Sequence, residues 1–119
     1  MRQFVVLSAF VSTLAHAQAP IGGMKEMIVT SGLTSGKTYQ VAELCGAKAD
    51  LLKAYKARFD ADTRGAEQLY ASLGINIEAV FLKGRKDGAD FYQTIKASPN
   101  RDSICSQTLA LVETTSRRS

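Results

Sequence analysis

The sequence is poor in the residues that carry most metal and nucleophile chemistry. Its 119 residues include one histidine, two cysteines and no tryptophan. The single histidine, His16, falls in a leader that we expect to be removed, so the mature chain would have none. Such a chain has no Ser–His or Cys–His catalytic pair and lacks the usual zinc and copper ligand. We therefore expect no metal and no cofactor, and any binding hot spot must be anchored by Tyr, Phe or Arg.

The leader is a predicted secretory signal peptide over residues 1–17. Arg2 precedes a nearly uncharged apolar run, and Ala15 and Ala17 place small residues before the predicted cleavage point. The apolar run is about 11 residues long, whereas roughly 20 are needed to span a bilayer. We expect cleavage after Ala17, a periplasmic or secreted product, and no membrane anchor after cleavage.

Export determines how Cys45 and Cys105 are interpreted. Oxidising compartments form and retain disulfides, and two cysteines allow only one pairing. We predict a Cys45–Cys105 disulfide, with two separate buried thiols as the alternative. A CxxC redox site is excluded by the spacing.

Composition and charge indicate one globular domain without a nucleic-acid partner. Hydrophobic residues make up 45% of the chain and charged residues 22%, which are ordinary values for a globular protein. The formal net charge of +4 is small. Basic residues alternate with acidic ones along the predicted helices, which is typical of solvated faces.

Hydrophobic periodicity predicts helices over residues 39–115. The first begins near Val41 and carries its apolar stripe to Phe59 and on to Leu73, where Gly74 ends the segment. Asn76 is a predicted cap for the next helix. Over residues 80–92 this helix competes with a hairpin that would turn at Asp87–Gly88, but the helical period fits better.

The last predicted helix begins at Ser98 and Pro99, a common helix start. Its buried stripe contains Ile104, Cys105 and Val112, and residues 116–119 form a predicted frayed tail. Gly84 and Gly88 lie on the buried face of the preceding helix, where we expect the backbone of a neighbouring helix to approach closely.

The predicted disulfide constrains the architecture. An unbroken helix from Cys45 to Leu73 would be about 42 Å long, and would leave Cys105 far from the roughly 7 Å Cα separation that a disulfide requires. We therefore predict a break within residues 60–65. The expected fold is all-α, a small bundle of about four short helices clamped by one disulfide, with a flexible, irregular N-terminal arm over residues 18–38.

Two segments resemble ligand-binding motifs without matching them. Residues 31–38 approach a P-loop, but the first glycine is one position too close to Gly36–Lys37. Residues 60–65 approach a calcium loop, but Arg64 occupies a position that should be a ligand. We interpret the first as part of the flexible arm and the second as a helix break.

Three functions remain, and binding of another protein ranks first. The layout is similar in outline to periplasmic immunity proteins, which bind toxins, and to periplasmic acid-stress chaperones. The first resemblance implies a non-catalytic immunity, inhibitor or adaptor role, and the second is the alternative. A small carboxylate-dependent hydrolase ranks last, because it needs two carboxylates in one cleft, roughly 5–10 Å apart. The candidate partner-binding residues are Phe81, Lys83, Arg85 and Lys86.

Overall fold

The computed structural model describes residues 21–118, which form five helices. These are α1 (Ile21–Leu44), α2 (Ala49–Thr63), α3 (Glu67–Ser72), α4 (Ile77–Ile95) and α5 (Arg101–Ser116). No strand occurs in this range, so the predicted all-α class is confirmed. The predicted signal peptide lies outside the described residues. None of the helices in residues 21–118 is both long and apolar enough to cross a membrane.

Helix α1 replaces most of the irregular arm that the sequence predicted. Residues 21–38 are helical, and the helix continues to Leu44, so the segment near Val41 ends this helix instead of beginning the next. Gly46 then adopts a φ of 101°. The Ala47 N–H donates to the Ala42 carbonyl and the Gly46 N–H to the Glu43 carbonyl, a Schellman arrangement that stops the helix at a glycine.

Glycines hold α1 against α4. The two helices run parallel, since Gly32 lies near Ile77 and Val80 while Lys37 lies near Gly88. A Cβ at Gly88 would come within 2.6 Å of the Lys37 carbonyl oxygen, and Cβ atoms at Gly36 and Gly84 would also meet backbone. Glycines four residues apart on both helices thus permit backbone contact. The close approach predicted at Gly84 and Gly88 is confirmed. The helix that approaches them is α1, in the segment predicted as an irregular arm.

The core lies where α1 meets α2, α4 and α5. Phe81 is 1% exposed, and its ring centre lies 4.8 Å from that of Phe59 and 5.6 Å from that of Tyr39. A second group of buried residues joins α1, α2 and α5. Its members are Ala42, Leu52, Tyr55 and Val112.

The breaks between helices follow the local signals in the sequence. Helix α2 ends at Thr63, and Gly65 adopts a φ of 92°, so the predicted break is confirmed. Gly74 ends α3 with a φ of 73°. The Asn76 side chain accepts a hydrogen bond from the Ala79 N–H, and residues 80–92 are helical throughout, which removes the hairpin alternative.

The start of α5 differs slightly from the prediction. The helix begins at Arg101, two residues beyond Pro99. The Ser98 hydroxyl accepts a hydrogen bond from the Asn100 N–H at 3.0 Å, so it caps the turn before the helix instead of the helix itself. Helix α5 then extends to Ser116, the first residue of the predicted tail.

The cysteine pair joins the end of α1 to α5. Cys45 follows the last residue of α1, and Cys105 is a buried residue of α5. Their Cα atoms are 5.4 Å apart and their sulfurs are at bonding distance. The predicted pairing is therefore confirmed in its geometry.

Candidate partner-binding surface

The four residues predicted to bind a partner do not form one surface. Phe81 packs in the core against Phe59 and Tyr39, where a partner cannot reach it. Lys83 and Lys86 are exposed on α4. The aromatic anchor expected beside the basic cluster is therefore absent from the surface, because Phe81 faces α1 and not solvent.

Arg85 is held against α1. Its Nε donates to Gln40 Oε1 at 2.7 Å, and one terminal nitrogen donates to Glu43 Oε1 at 3.3 Å. The guanidinium also lies over the Tyr39 ring, 4.7 Å from its centre. Stacking combined with two hydrogen bonds is a geometry that suits arginine and not lysine. Arg85 therefore stabilises the contact between α4 and α1. Of the three predicted basic residues, only Lys83 and Lys86 are exposed.

A hydrolase could draw on Glu67, Glu78, Asp87 and Asp90, and the first three have other contacts. Glu67 accepts a hydrogen bond from the Gly65 N–H, and Asp87 pairs with Lys83. Glu78 accepts a hydrogen bond from Lys56, which also donates to Asp60. Partial burial opposes the charge of Lys56, but these hydrogen bonds outweigh it and raise its pKa.

Tyr55, the most buried tyrosine, contributes to the core and not to a surface site. Tyr55 is 6% exposed and belongs to the core that joins α1, α2 and α5. Burial raises the pKa of its hydroxyl, although Ser35 and Thr38 of α1 act in the opposite direction. Its packing with Ala42 in this core places α2 against α1.

Large apolar side chains are exposed at the N-terminal end of α1. Met27 is 74% exposed and Met24 is 46% exposed. Met27 and Ile28 line a recess of about 190 Å³ together with Tyr70 of α3 and Ile77 of α4. We call Met24, Met27, Ile28 and Tyr70 the methionine surface. Unbranched methionine side chains adapt to differently shaped partners.

A second feature lies on a different face of α1, between α1 and α4. It is a groove of about 360 Å³. Its lining is aliphatic, with a lysine from each helix. The residues that line it are Lys25, Val29, Leu33, Gly74, Ile75, Asn76, Ala79, Val80 and Lys83. We call it the lysine groove, and no carboxylate contributes to its lining.

A wider groove of about 680 Å³ separates the start of α2 from α5. Its charged residues have both signs, since Lys48 lines it together with Asp50 and Glu113. Small residues such as Ala54 and Ala110 form much of the remainder. Half-buried Leu51 and Leu109 also line this groove, which has no dominant charge.

The methionine surface and Lys25 were not predicted, because Lys25 and all of that surface except Tyr70 lie in the segment interpreted as an arm. A signal was present in that segment. Gly32 and Gly36 repeat the four-residue spacing of Gly84 and Gly88, and one pair facing the other is how two helices approach closely. Once residues 21–38 are helical, Met24 and Met27 fall on one face and Lys25 and Val29 on another.

Within residues 21–118, no three His, Cys, Asp or Glu side chains come together in a way that could hold a metal ion. Comparisons with protein families, with curated proteins and with solved structures found no match to this chain. Its function must therefore be argued from its own residues.

Proposed function

We infer that this chain is an exported, non-catalytic protein that binds a protein partner through the methionine surface. The observation that supports this function best is the exposure of Met27, the most exposed of the large apolar side chains in residues 23–118. An exposed apolar group beside an apolar recess is typical of a surface that another protein covers. Export rests on the predicted signal peptide and is consistent with the cysteine pair.

The neighbouring helices support this role for the surface. Helix α1 packs against α4 through its glycines from Gly32 onwards, and Met24 and Met27 lie within about two turns of that contact. The recess beside Met27 is lined by three other elements, through Phe59 of α2, Tyr70 of α3 and Ile77 of α4. A partner side chain entering it would contact four helices at once.

A capture experiment tests this function. The mature chain, immobilised with its disulfide intact, is incubated with extract from the oxidising compartment of the source cells. We expect one stoichiometric partner. Met27→Glu should weaken its capture at least about tenfold, because a carboxylate must be desolvated in the contact. Leu111→Glu is the matched control, since Leu111 is an exposed apolar residue of α5 that is 52% exposed.

Three results would contradict the proposal. Equal capture by Met27→Glu and wild type would remove the methionine surface from the interaction. Equal loss in both glutamate variants would show a general effect of added charge. Capture of many clients only below about pH 3, where carboxylates are protonated, would support the acid-stress chaperone instead.

A further inference from the structure

The lysine groove has a charge pattern that points to a particular kind of partner segment. Lys25 of α1 lies at the end near Gly74, where its Nζ would be 3.9 Å from a Cβ at that glycine. Lys83 lines the groove farther along α4. Between Asn76 and Lys83 the helix rises about 10 Å, or two turns. The groove therefore has an aliphatic floor with a cation towards each end.

The two lysines are available to an incoming anion. Among the ion pairs within residues 21–118, Lys25 takes part in none and Lys83 in one, with Asp87. That pair is 3.5 Å long, with the Lys83 side chain 67% exposed and the Asp87 side chain 43% exposed. Exposed pairs of this kind contribute little to stability and are readily exchanged. Glu26 is next to Lys25 in sequence but lines a recess on another face of α1.

The structure also indicates which backbone conformation can occupy the groove. Apart from the short connection at residues 74–76, the lining belongs to helices α1 and α4, whose backbone groups are bonded within the helix. An extended peptide would therefore find no strand edge to pair with. A helix satisfies its own backbone and can place apolar side chains into a groove. The volume of about 360 Å³ is too small for a whole helix and would take the side chains along one stripe.

We propose that the lysine groove docks an amphipathic helix of the partner, with apolar side chains in the groove and two acidic residues, seven positions apart, pairing with Lys25 and Lys83. A seven-residue separation on a helix is about 10 Å, which matches the span of the groove along α4. This inference rests on the proposed function and names the chemistry of the partner segment.

The test uses a defined peptide, so it does not require the partner to be known. The probe is a stapled, alanine-based helical peptide with Glu at two positions seven residues apart and Leu at the third and fourth positions after the first Glu. The matched control peptide has Lys in place of both Glu residues. Binding to the full mature chain is followed by nitrogen-15 chemical shifts of the backbone amides at Val29, Leu33 and Val80.

We expect saturable shifts at the groove with the Glu peptide and none with the Lys peptide. Lys25→Gln and Lys83→Gln should each weaken binding about two- to fivefold, the range for an exposed ion pair. Lys86→Gln should leave it unchanged, because Lys86 is an exposed lysine of α4 that does not line the groove. The unbound spectra of the variants show whether each is folded.

Binding of both peptides, equal weakening by Lys86→Gln, or no saturable shift at millimolar peptide would each overturn the groove proposal. Its failure is distinguishable from failure of the proposed function. A Met27-dependent partner can be captured even if the Glu peptide does not bind. Conversely, the peptide result stands even if no stoichiometric partner is captured.

Discussion

Glycine has two different roles within α1. Gly36 is buried against α4, and a Cβ there would collide with the Phe81 carbonyl oxygen, a backbone atom that cannot rotate away. Gly23 lies in the same helix, but a Cβ at that position would have nothing within 4 Å. Substituting alanine at Gly36 tests the role of glycine in packing, whereas the same substitution at Gly23 tests only its low helix propensity.

We expect Gly36→Ala to lower the free energy of unfolding by about 1–3 kcal/mol, the usual cost of overpacking. Gly23→Ala should be neutral or should stabilise by up to about 1 kcal/mol, because alanine favours the helix more than glycine. Urea denaturation of the three proteins measures both effects. If Gly36→Ala were as stable as Gly23→Ala, the backbones of α1 and α4 would not be in contact.

The positions of the four predicted site residues along α4 explain why they do not form one surface. Phe81, Arg85 and Gly88 recur at four- and three-residue intervals, so they share one face of α4, and that face is covered by α1. Gly84 and Gly88 were predicted on the buried face while Phe81 was assigned to a partner-binding surface, although their three- and four-residue spacing puts all three on the same face. Lys83 and Lys86 lie off this face and are exposed, and their contact with a partner stays a prediction.

At the scale of single elements, the helices differ in how far local sequence determines them. Helix α1 has four glycines in 24 residues, and several Ser and Thr residues besides. Such a segment has low intrinsic helix propensity, and its helical state depends on the contact with α4. Helix α2 has no glycine in 15 residues and carries two ion pairs at four-residue spacing, from Lys56 to Asp60 and from Arg58 to Asp62.

Longer peptides are usually the more helical in water. We expect the opposite for isolated α1 and α2, because α1 depends on α4 for its helical state. A synthetic peptide of residues 21–44 should be mostly unfolded in water at low temperature, whereas one of residues 49–63 should show more helix per residue. Far-ultraviolet circular dichroism of both peptides measures this. A peptide 21–44 that is the more helical of the two would show that α1 forms without α4.

The same contrast explains which elements could be predicted. Helix α4 was predicted with its cap at Asn76, and the ends at Gly65 and Gly74 were predicted too, because each depends on residues a few positions away. Helix α1 was not predicted because the α4 residues that stabilise it lie about 50 positions further along the chain. Gly46 was not predicted as a helix end because α1, the helix that ends there, was not predicted either.

At the scale of the whole molecule, the disulfide joins two pairs of helices. Helices α1 and α4 pack through their glycines, while α2 and α5 meet around Leu52, Tyr55 and Val112. Cys45 stands at the end of α1 and Cys105 within α5. The bond thus joins one pair to the other, and Ala42 of α1 also packs with the core residues of α2 and α5.

The bond should contribute substantially to stability. The two cysteines are 60 positions apart in the sequence, and closing a loop of that length restricts the unfolded chain by about 4 kcal/mol in the chain-entropy model. A domain of this size has about 5–15 kcal/mol of stability in total. Losing the bond should therefore lower the melting temperature clearly while leaving helices that keep their apolar contacts.

We expect Cys45→Ala, Cys105→Ala and the double variant to melt well below the oxidised wild type and by similar amounts, because the two halves of one bond do not add. Alanine is the matched choice at both sites, since a serine hydroxyl at the buried Cys105 would add its own desolvation cost. Differential scanning calorimetry with and without reductant measures the effect. Reductant should bring the wild type down to the variants and leave the variants unchanged. Additive losses, or two titratable thiols in protein from an oxidising compartment, would mean that the two helix pairs are held together by packing alone.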